Sequence, residues 1–119
     1  MTTNADTGLK GEEIATRYFV SIGYDIRGRN VRIGRDEIDI IAHDPVDDVI
    51  VFAEVKTRTK LLEDFPPELS LDWRKKQCLI HAARAWVNRY RYDRGYRMDL
   101  VSVAGGRVTG HLKELEWES

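Results

Sequence analysis

Residues 36–58, DEIDIIAHDPVDDVIVFAEVKTR, combine two β-strand patterns with an unusual set of charges. The runs 37–43 and 49–56 are rich in β-branched residues, and the DPVDD segment between them has the composition of a tight turn. The pattern therefore predicts a β-hairpin. Charged side chains interrupt both strands, although such groups are rarely placed in apolar strands unless a partner compensates them.

The register of this hairpin would bring two carboxylates together. A turn centred on Val46 and Asp47 places Asp39 opposite Glu54, with Lys56 two residues further along the same face as Glu54. Opposed carboxylates repel each other, and a divalent cation between them would remove the repulsion. Ligands that are all oxygen favour Mg²⁺ or Mn²⁺ over zinc.

Lys56 completes a set of groups suited to phosphodiester hydrolysis. A lysine beside a metal-binding glutamate could orient or deprotonate a water, or stabilise the negative charge that develops on a phosphate. The plain alternative is an exposed ion pair between Glu54 and Lys56 across neighbouring positions. Asp39 lies at a matching position on the other strand, and the apolar run VIVFA precedes Glu54. Both features favour a functional site over an exposed ion pair.

The rest of the chain predicts two helices and three more strands around this hairpin. Apolar periodicity and turn residues give the following ranges: a helix over 8–22 that stops at Gly23, a strand over 24–33, a loop over 57–69, a helix over 71–93 capped by Ser70, and strands over 96–103 and 107–116. The order α-β-β-β-α-β-β predicts a single α/β domain over 1–119 with a mixed sheet flanked by helices, and residues 1–7 are expected to be flexible.

Composition excludes several classes of protein. One cysteine, Cys78, excludes an internal disulfide framework and a cysteine-rich zinc site. No apolar run approaches the roughly 18 residues of a membrane span, so no membrane association is expected. The polar start, MTTNADTG, lacks the features of a signal peptide, and the cytoplasm is the expected location.

Basic residues cluster on both sides of the acidic hairpin, although the net charge is only −1. Such flanks could bind a polyanion next to a cation site. The candidates for phosphate contacts are Arg27, Arg29, Arg32, Arg58, Arg74, Lys75 and Lys76. For each of them a solvated surface position is the alternative.

Several motifs together resemble a known family. They are GLKGEEIATRYF, GYDIRGRNVR, EIDIIAHD, VFAEVKTR, KKQCLIHAARAWV and YRMDLVSV, in this order between Gly8 and Val103. EID followed by EVK resembles the restriction-endonuclease-like, or PD-(D/E)xK, nuclease superfamily. The whole chain more closely resembles the YraN-like family of small bacterial proteins, which is related to archaeal Holliday junction resolvases.

The resemblance implies a restriction-endonuclease-like fold and assigns roles to four residues. Asp39 and Glu54 would bind the metal, Lys56 would be the catalytic lysine, and Glu12 would contact the metal directly or through water. Glu37 would be a further acidic neighbour. The alternative for Glu12 is a favourable charge in the first turn of a helix. The chain departs from the family pattern at Asp36, where glycine is usual, and at Phe65-Pro66, where phenylalanine-glycine is usual.

The expected function is that of a Mg²⁺- or Mn²⁺-dependent DNA endonuclease of the repair or recombination type, with branched DNA as one substrate class. A nucleic-acid-binding protein with a vestigial nuclease site is the main alternative, and RNA cleavage is a third. The oligomeric state stays open, with a homodimer as one possibility.

Overall fold

The computed structural model describes residues 4–58 and 73–113. Its elements are, in chain order, α1 (Asn4–Ser21), β1 (Asp25–Ile33), β2 (Asp36–Asp44), β3 (Val49–Arg58), α2 (Trp73–Arg89), β4 (Tyr96–Ala104) and β5 (Arg107–Leu112). The predicted α/β class and the predicted order of elements are confirmed. The loop predicted over 57–69 begins later, because Thr57 and Arg58 belong to β3. The rest of that loop and the predicted cap at Ser70 lie outside the described residues, as do residues 1–3.

The helix ends differ from the predicted ones by a few residues. α1 begins at Asn4, four residues earlier than predicted, so part of the segment expected to be flexible is helical. It stops as predicted, because Gly23 adopts a left-handed conformation (φ 94°) that lets the Tyr24 amide donate to the Phe19 carbonyl at 2.9 Å. α2 ends at Arg89 instead of residue 93, and the chain turns at Arg91 with φ 51°.

The sheet is mixed and follows the chain order β1-β2-β3-β4-β5. β3 and β4 are parallel, and α2 makes the crossover between them, while the other neighbouring strands are antiparallel. The predicted register of the β2–β3 hairpin is confirmed, because Ile41 pairs with Phe52 and Ile40 with Ala53.

β2 and β3 separate immediately beyond the Ile40–Ala53 pair. From this point β2 stays paired with β1 as far as Asp36, and β3 stays paired with β4 as far as Arg58. The two strands therefore form a fork. Asp39 and Glu54 are the next residues on either side of it.

The helices cover opposite faces of the sheet. α1 packs on a core that includes Phe19, Ile40 and Val51, whereas α2 packs on a core that includes Phe52 and Leu79. In the part of the chain covered by the structure, no helix is long and apolar enough to cross a membrane.

The alternation of side chains along β2 breaks at Asp39. Ile38 belongs to the core on the α2 side, and Ile40 belongs to the core on the α1 side, although regular alternation would give both the same face. Across the β1–β2 ladder, the position opposite Asp39 is Asn30, which has φ 50°. The irregular backbone at this point places Asp39 in the fork.

Candidate active site

Asp39 lies in the fork and is held by the backbone of the neighbouring strand. Its Oδ2 accepts a hydrogen bond from the Val55 amide at 2.8 Å, which replaces the strand-to-strand bond that is lost where β2 and β3 separate. Burial raises the pKa of Asp39, although the Val55 hydrogen bond opposes that rise. The hydrogen bond thus fixes the position of the carboxylate, while burial removes part of its hydration.

Glu54 reaches the same region from β3, with its side chain only 14% exposed. Lys75, in the first turn of α2, places its Nζ 3.8 Å from Glu54 Oε2. Burial, and then the charge of Asp39, raise the pKa of Glu54 to about 8, although Lys75 opposes the rise. Glu54 therefore binds a proton readily at neutral pH unless another positive charge compensates it.

Glu12 approaches from the other face of the sheet, on α1. It is half-buried, and its carboxyl group interacts with the side chains of Asn30 and Asp39. Burial, and then the charge of Asp39, raise its pKa to about 7, and its Oε1 atom is buried without a partner. Because α1 begins at Asn4, Glu12 lies in the third helical turn, and the alternative of a first-turn charge is wrong.

Lys56 and Glu37 stand at the rim of this acidic group. Lys56 is half-buried on β3, two residues beyond Glu54, and its positive charge partly offsets the rise in the pKa of Glu54. Glu37 is exposed and lies 4.0 Å from Arg32, and its charge contributes to the raised pKa values of Asp39 and Glu12.

Three carboxyl groups from three elements thus share one site and repel one another. Their oxygens suit Mg²⁺ or Mn²⁺, and a cation would replace the protons that the raised pKa values of Glu12 and Glu54 imply. In their present rotamers, however, no three His, Cys, Asp or Glu side chains among residues 4–58 and 73–113 are arranged as a metal site. The set fits a cation by chemistry, and its side chains must turn to bind one.

The candidate phosphate contacts fall into two groups. Arg58, Arg74, Lys75 and Lys76 flank the site at the end of β3 and in the first turn of α2, and Lys75 contacts Glu54 directly. Arg27, Arg29 and Arg32 lie on the edge strand β1 and are exposed. Of these, Arg27 pairs with Asp25 at 2.8 Å.

Two features of the site were not predicted from the sequence. Asn30 contacts Glu12, and its only signal in the sequence is an Asn in the middle of a strand, where a left-handed backbone is otherwise rare. Asp36 departs from the family pattern. Its Oδ2 atom forms a hydrogen bond of 2.8 Å with His81 Nδ1 on α2. The replacement of glycine at this turn is therefore accompanied by a contact between β2 and α2.

Asp99, which matches the family pattern, belongs to a different cluster. Its carboxylate accepts hydrogen bonds from Arg97 Nε at 2.8 Å and pairs with His111 Nε2 at 2.7 Å. Arg97 also donates to Asp44 and to Tyr24. Burial would raise the pKa of Asp99, but its partners His111 and Arg97 lower it below its ordinary value. This buried network joins β2, β4 and β5.

Relatives of the chain are bacterial proteins that carry only a family label. "UPF0102 protein" of Chlorobaculum parvum is 45% identical over 120 residues, covering 93% of this chain and 85% of the relative. The proteins of Porphyromonas gingivalis and Pelobacter propionicus with the same label are 39% and 38% identical, over 98% and 87% of this chain and 83% and 76% of their own lengths.

One solved structure is also similar. It is described as "Structure of EndoMS-dsDNA2 complex", and it matches 80% of this chain and 35% of its own with 14% identity and a TM-score of 0.45. The family model of "Uncharacterised protein family UPF0102" matches residues 11–103, which hold Glu12, Asp39, Glu54 and Lys56. The chain belongs to the UPF0102 family, which is the YraN-like family that its motifs indicate.

Proposed function

We propose that the chain is a metal-dependent endonuclease that hydrolyses phosphodiester bonds of DNA, with branched DNA of repair or recombination as its substrate class. One observation carries the proposal. Asp39, Glu54 and Glu12 converge from β2, β3 and α1 on a fork beside Lys56, and the pKa values of the two glutamates rise to about 8 and about 7. A purely structural cluster of acids would gain nothing from this mutual repulsion.

The residues of the site have separable roles in this proposal. Asp39, Glu54 and Glu12 would hold Mg²⁺ or Mn²⁺, which when bound supplies positive charge to polarise the phosphate and acidify water. Lys56 would donate hydrogen bonds to a phosphate oxygen as it gains negative charge, or would orient the attacking water.

A second candidate function is a nucleic-acid-binding protein with a vestigial nuclease site. The observation in its favour is that no three potential ligands within 4–58 and 73–113 are arranged to hold a metal ion. In that case Lys75 and the Val55 amide would be the permanent partners of Glu54 and Asp39.

The first prediction compares cleavage by wild type and four variants on branched, plain and RNA substrates in Mg²⁺ and Mn²⁺. Asp39→Asn, Glu54→Gln and Lys56→Ala should each lower the rate by about 100-fold or more, because each removes charge from the transition state. Glu13→Gln is the matched control, since Glu13 adjoins Glu12 but is exposed and pairs with Arg17 at 2.8 Å. It should cleave as wild type does.

A second readout of the same variants does not depend on turnover. Mn²⁺ should raise the melting temperature of wild type by mass action and should affect Asp39→Asn only weakly. Asp39→Asn keeps an oxygen that can accept from the Val55 amide, so it should fold in EDTA. If Mn²⁺ does not change the melting temperature of wild type and cleavage persists in Lys56→Ala, the nuclease proposal fails. The nucleic-acid-binding function then remains.

A further inference from the structure

A cavity of about 160 Å³ lies between α1, the end of β3 and the turn that joins β4 to β5. Its walls include Lys10 and Gly11 from α1, Thr57 and Arg58 from β3, and the turn residues Gly105 and Gly106. Lys10 and Arg58 bring positive charge to it, and among residues 4–58 and 73–113 no acidic residue lines it. A small cavity of this composition selects for an anion.

Arg58, one of the residues that line the cavity, has an unmet hydrogen-bonding requirement. Its Nη2 atom is buried and has no hydrogen-bond partner in the described part of the chain. A buried donor without an acceptor costs free energy that an acceptor would recover, and the cost is greater when the donor is charged. The planar guanidinium group matches the oxygens of a phosphate particularly well.

The size of the cavity restricts what it can hold. Pockets for drug-sized ligands measure roughly 300–1,000 Å³, so a cavity of about 160 Å³ has room for a phosphoryl group but not for a nucleoside. At the turn, Gly105 and Gly106 are both left-handed, with φ values of 61° and 77°. They present a backbone without side chains at the cavity wall.

The cavity adjoins the acidic site along two elements. Lys10 precedes Glu12 by two residues on α1, and Arg58 follows Lys56 by two residues on β3. At about 3.3 Å per residue of strand, Arg58 lies roughly 13 Å along β3 from Glu54. One nucleic-acid strand can therefore reach both places.

We propose that this cavity binds the terminal phosphate monoester of a nucleic-acid strand, and this proposal rests on the nuclease function. A terminal monoester carries a charge of about −1.5 to −2 at pH 7, which matches the two cations better than the single charge of an internal diester. The cavity would then set the distance from a strand end to the bond that is cleaved.

The test measures binding and needs no turnover. Fluorescence anisotropy in EDTA would compare the affinity of the full chain for the same short single strand with a 5′-phosphate, with a 3′-phosphate and with hydroxyl ends. Wild type should bind one phosphorylated form about tenfold more tightly than the hydroxyl form, as expected for a charge-assisted hydrogen bond. Lys10→Gln should remove the difference while it leaves the affinity for the hydroxyl form nearly unchanged. Arg58→Gln should also remove the difference, but it should lower the affinity for all forms, because Arg58 is also a candidate contact for the strand backbone.

Two controls separate the outcomes. Arg17→Gln changes an exposed cation on α1 that pairs with Glu13, so it should keep the preference for the phosphate. Arg58→Lys retains a cation and should retain part of the preference if the variant folds. Equal affinity of wild type for all three strands overturns the proposal, as does inorganic phosphate that stabilises the chain without any preference among the strands. Loss of cleavage in Lys56→Ala is measured separately, so failure here does not decide the nuclease function.

Discussion

Asp39 and Glu54 combine a structural contact with an electrostatic conflict. Asp39 accepts the Val55 amide that the separated strands leave unpaired, and Glu54 contacts Lys75. Neither contact fully offsets the destabilisation of the charged carboxylate by burial, because the pKa values of both carboxyl groups are raised. The folded chain thus keeps a group of acids whose full ionisation requires an added positive charge.

The next prediction concerns the pH dependence of stability without metal. Glu54 has a pKa of about 8 and Glu12 of about 7 in the folded chain, above the ordinary value of 4.5. The folded state therefore binds protons more tightly than the unfolded state, so this contribution to stability is complete below pH 4.5 and is lost as the pH rises through 7 to 8. In EDTA, the melting temperature of wild type should fall between pH 5 and pH 8.

Two variants identify the source of this fall. Glu54→Gln cannot ionise and should flatten the pH profile, whereas Glu13→Gln, at an exposed position, should keep the wild-type slope. Thermal unfolding in EDTA at a series of pH values measures both. A Glu54→Gln profile as steep as that of wild type would mean that other groups cause the fall.

Individual site residues could be predicted only where strand geometry alone decides their position. Glu54 and Lys56 follow from alternation along β3, and the hairpin register that brings Asp39 near Glu54 is confirmed at Ile41 and Phe52. The contact of Lys75 with Glu54 depends on where α2 packs, and no local pattern encodes that position.

At the scale of elements, the distance between α1 and the sheet determines whether Glu12 reaches the site. Gly11 lies so close to Thr57 on β3 that a β-carbon at Gly11 would collide with the Thr57 hydroxyl oxygen and lie 3.1 Å from its Cβ. The helix backbone therefore rests directly on the strand. The periodicity of residues 8–22 predicts the helix but not this approach, because the partner of Gly11 is far away in sequence.

Substitution of Gly11 tests this close contact. In a free helix Gly→Ala is stabilising by about 1 kcal/mol, but overpacking in a fixed contact costs about 1–3 kcal/mol. We expect Gly11→Ala to lower the free energy of unfolding and to impair cleavage, because α1 must move away from β3 and carry Glu12 with it. Urea unfolding measures whether the free energy of unfolding of Gly11→Ala is lower or higher than that of wild type.

The control for Gly11→Ala is the double variant with Thr57→Ala. Removal of the Thr57 hydroxyl eliminates the worst collision, so the double variant should recover part of the lost stability. If Gly11→Ala is more stable than wild type, α1 does not rest on β3 in the way described.

At the scale of the whole molecule, one buried cation joins the distant parts of the chain. Arg97 on β4 is 5% exposed and donates hydrogen bonds to Asp99, to Asp44 at the end of β2, and to Tyr24 after α1. No local pattern in the sequence marks Arg97 as buried. Arg97 is buried because α1 covers this face of the sheet, and α1 is distant from Arg97 in the sequence.

Removal of Arg97 should therefore destabilise the whole domain. Arg97→Met keeps much of the volume but leaves Asp44 and Asp99 buried without their cation, and breaking a buried ion pair typically costs about 3–5 kcal/mol. That is a large part of the total stability of about 5–15 kcal/mol that domains of this kind have. Chemical denaturation measures the loss.

Arg94→Met provides the comparison for Arg97→Met. Arg94 is exposed and pairs with exposed Asp48 at 3.6 Å, so its replacement should change the free energy of unfolding by at most about 0.5 kcal/mol. Equal effects of the two substitutions would contradict a central role for Arg97.

The class and order of the whole fold could be predicted because the strand and helix periods are clear in each segment. The faces that α1 and α2 cover, and the fork between β2 and β3, could not. They arise from packing between segments that are distant in sequence, as the contacts of Gly11 and Arg97 show.

The irregular backbone of β1 also has a consequence for self-association. β1 is an edge strand, and an edge exposes unpaired amides and carbonyls that another chain can extend into an aggregate. The register shift between Ile26 and Gly28 and the left-handed Asn30 distort this edge, and Arg27 and Arg29 add charge to it. The distortion that places Asp39 in the fork thereby also disfavours the pairing of a second chain with this edge of the sheet.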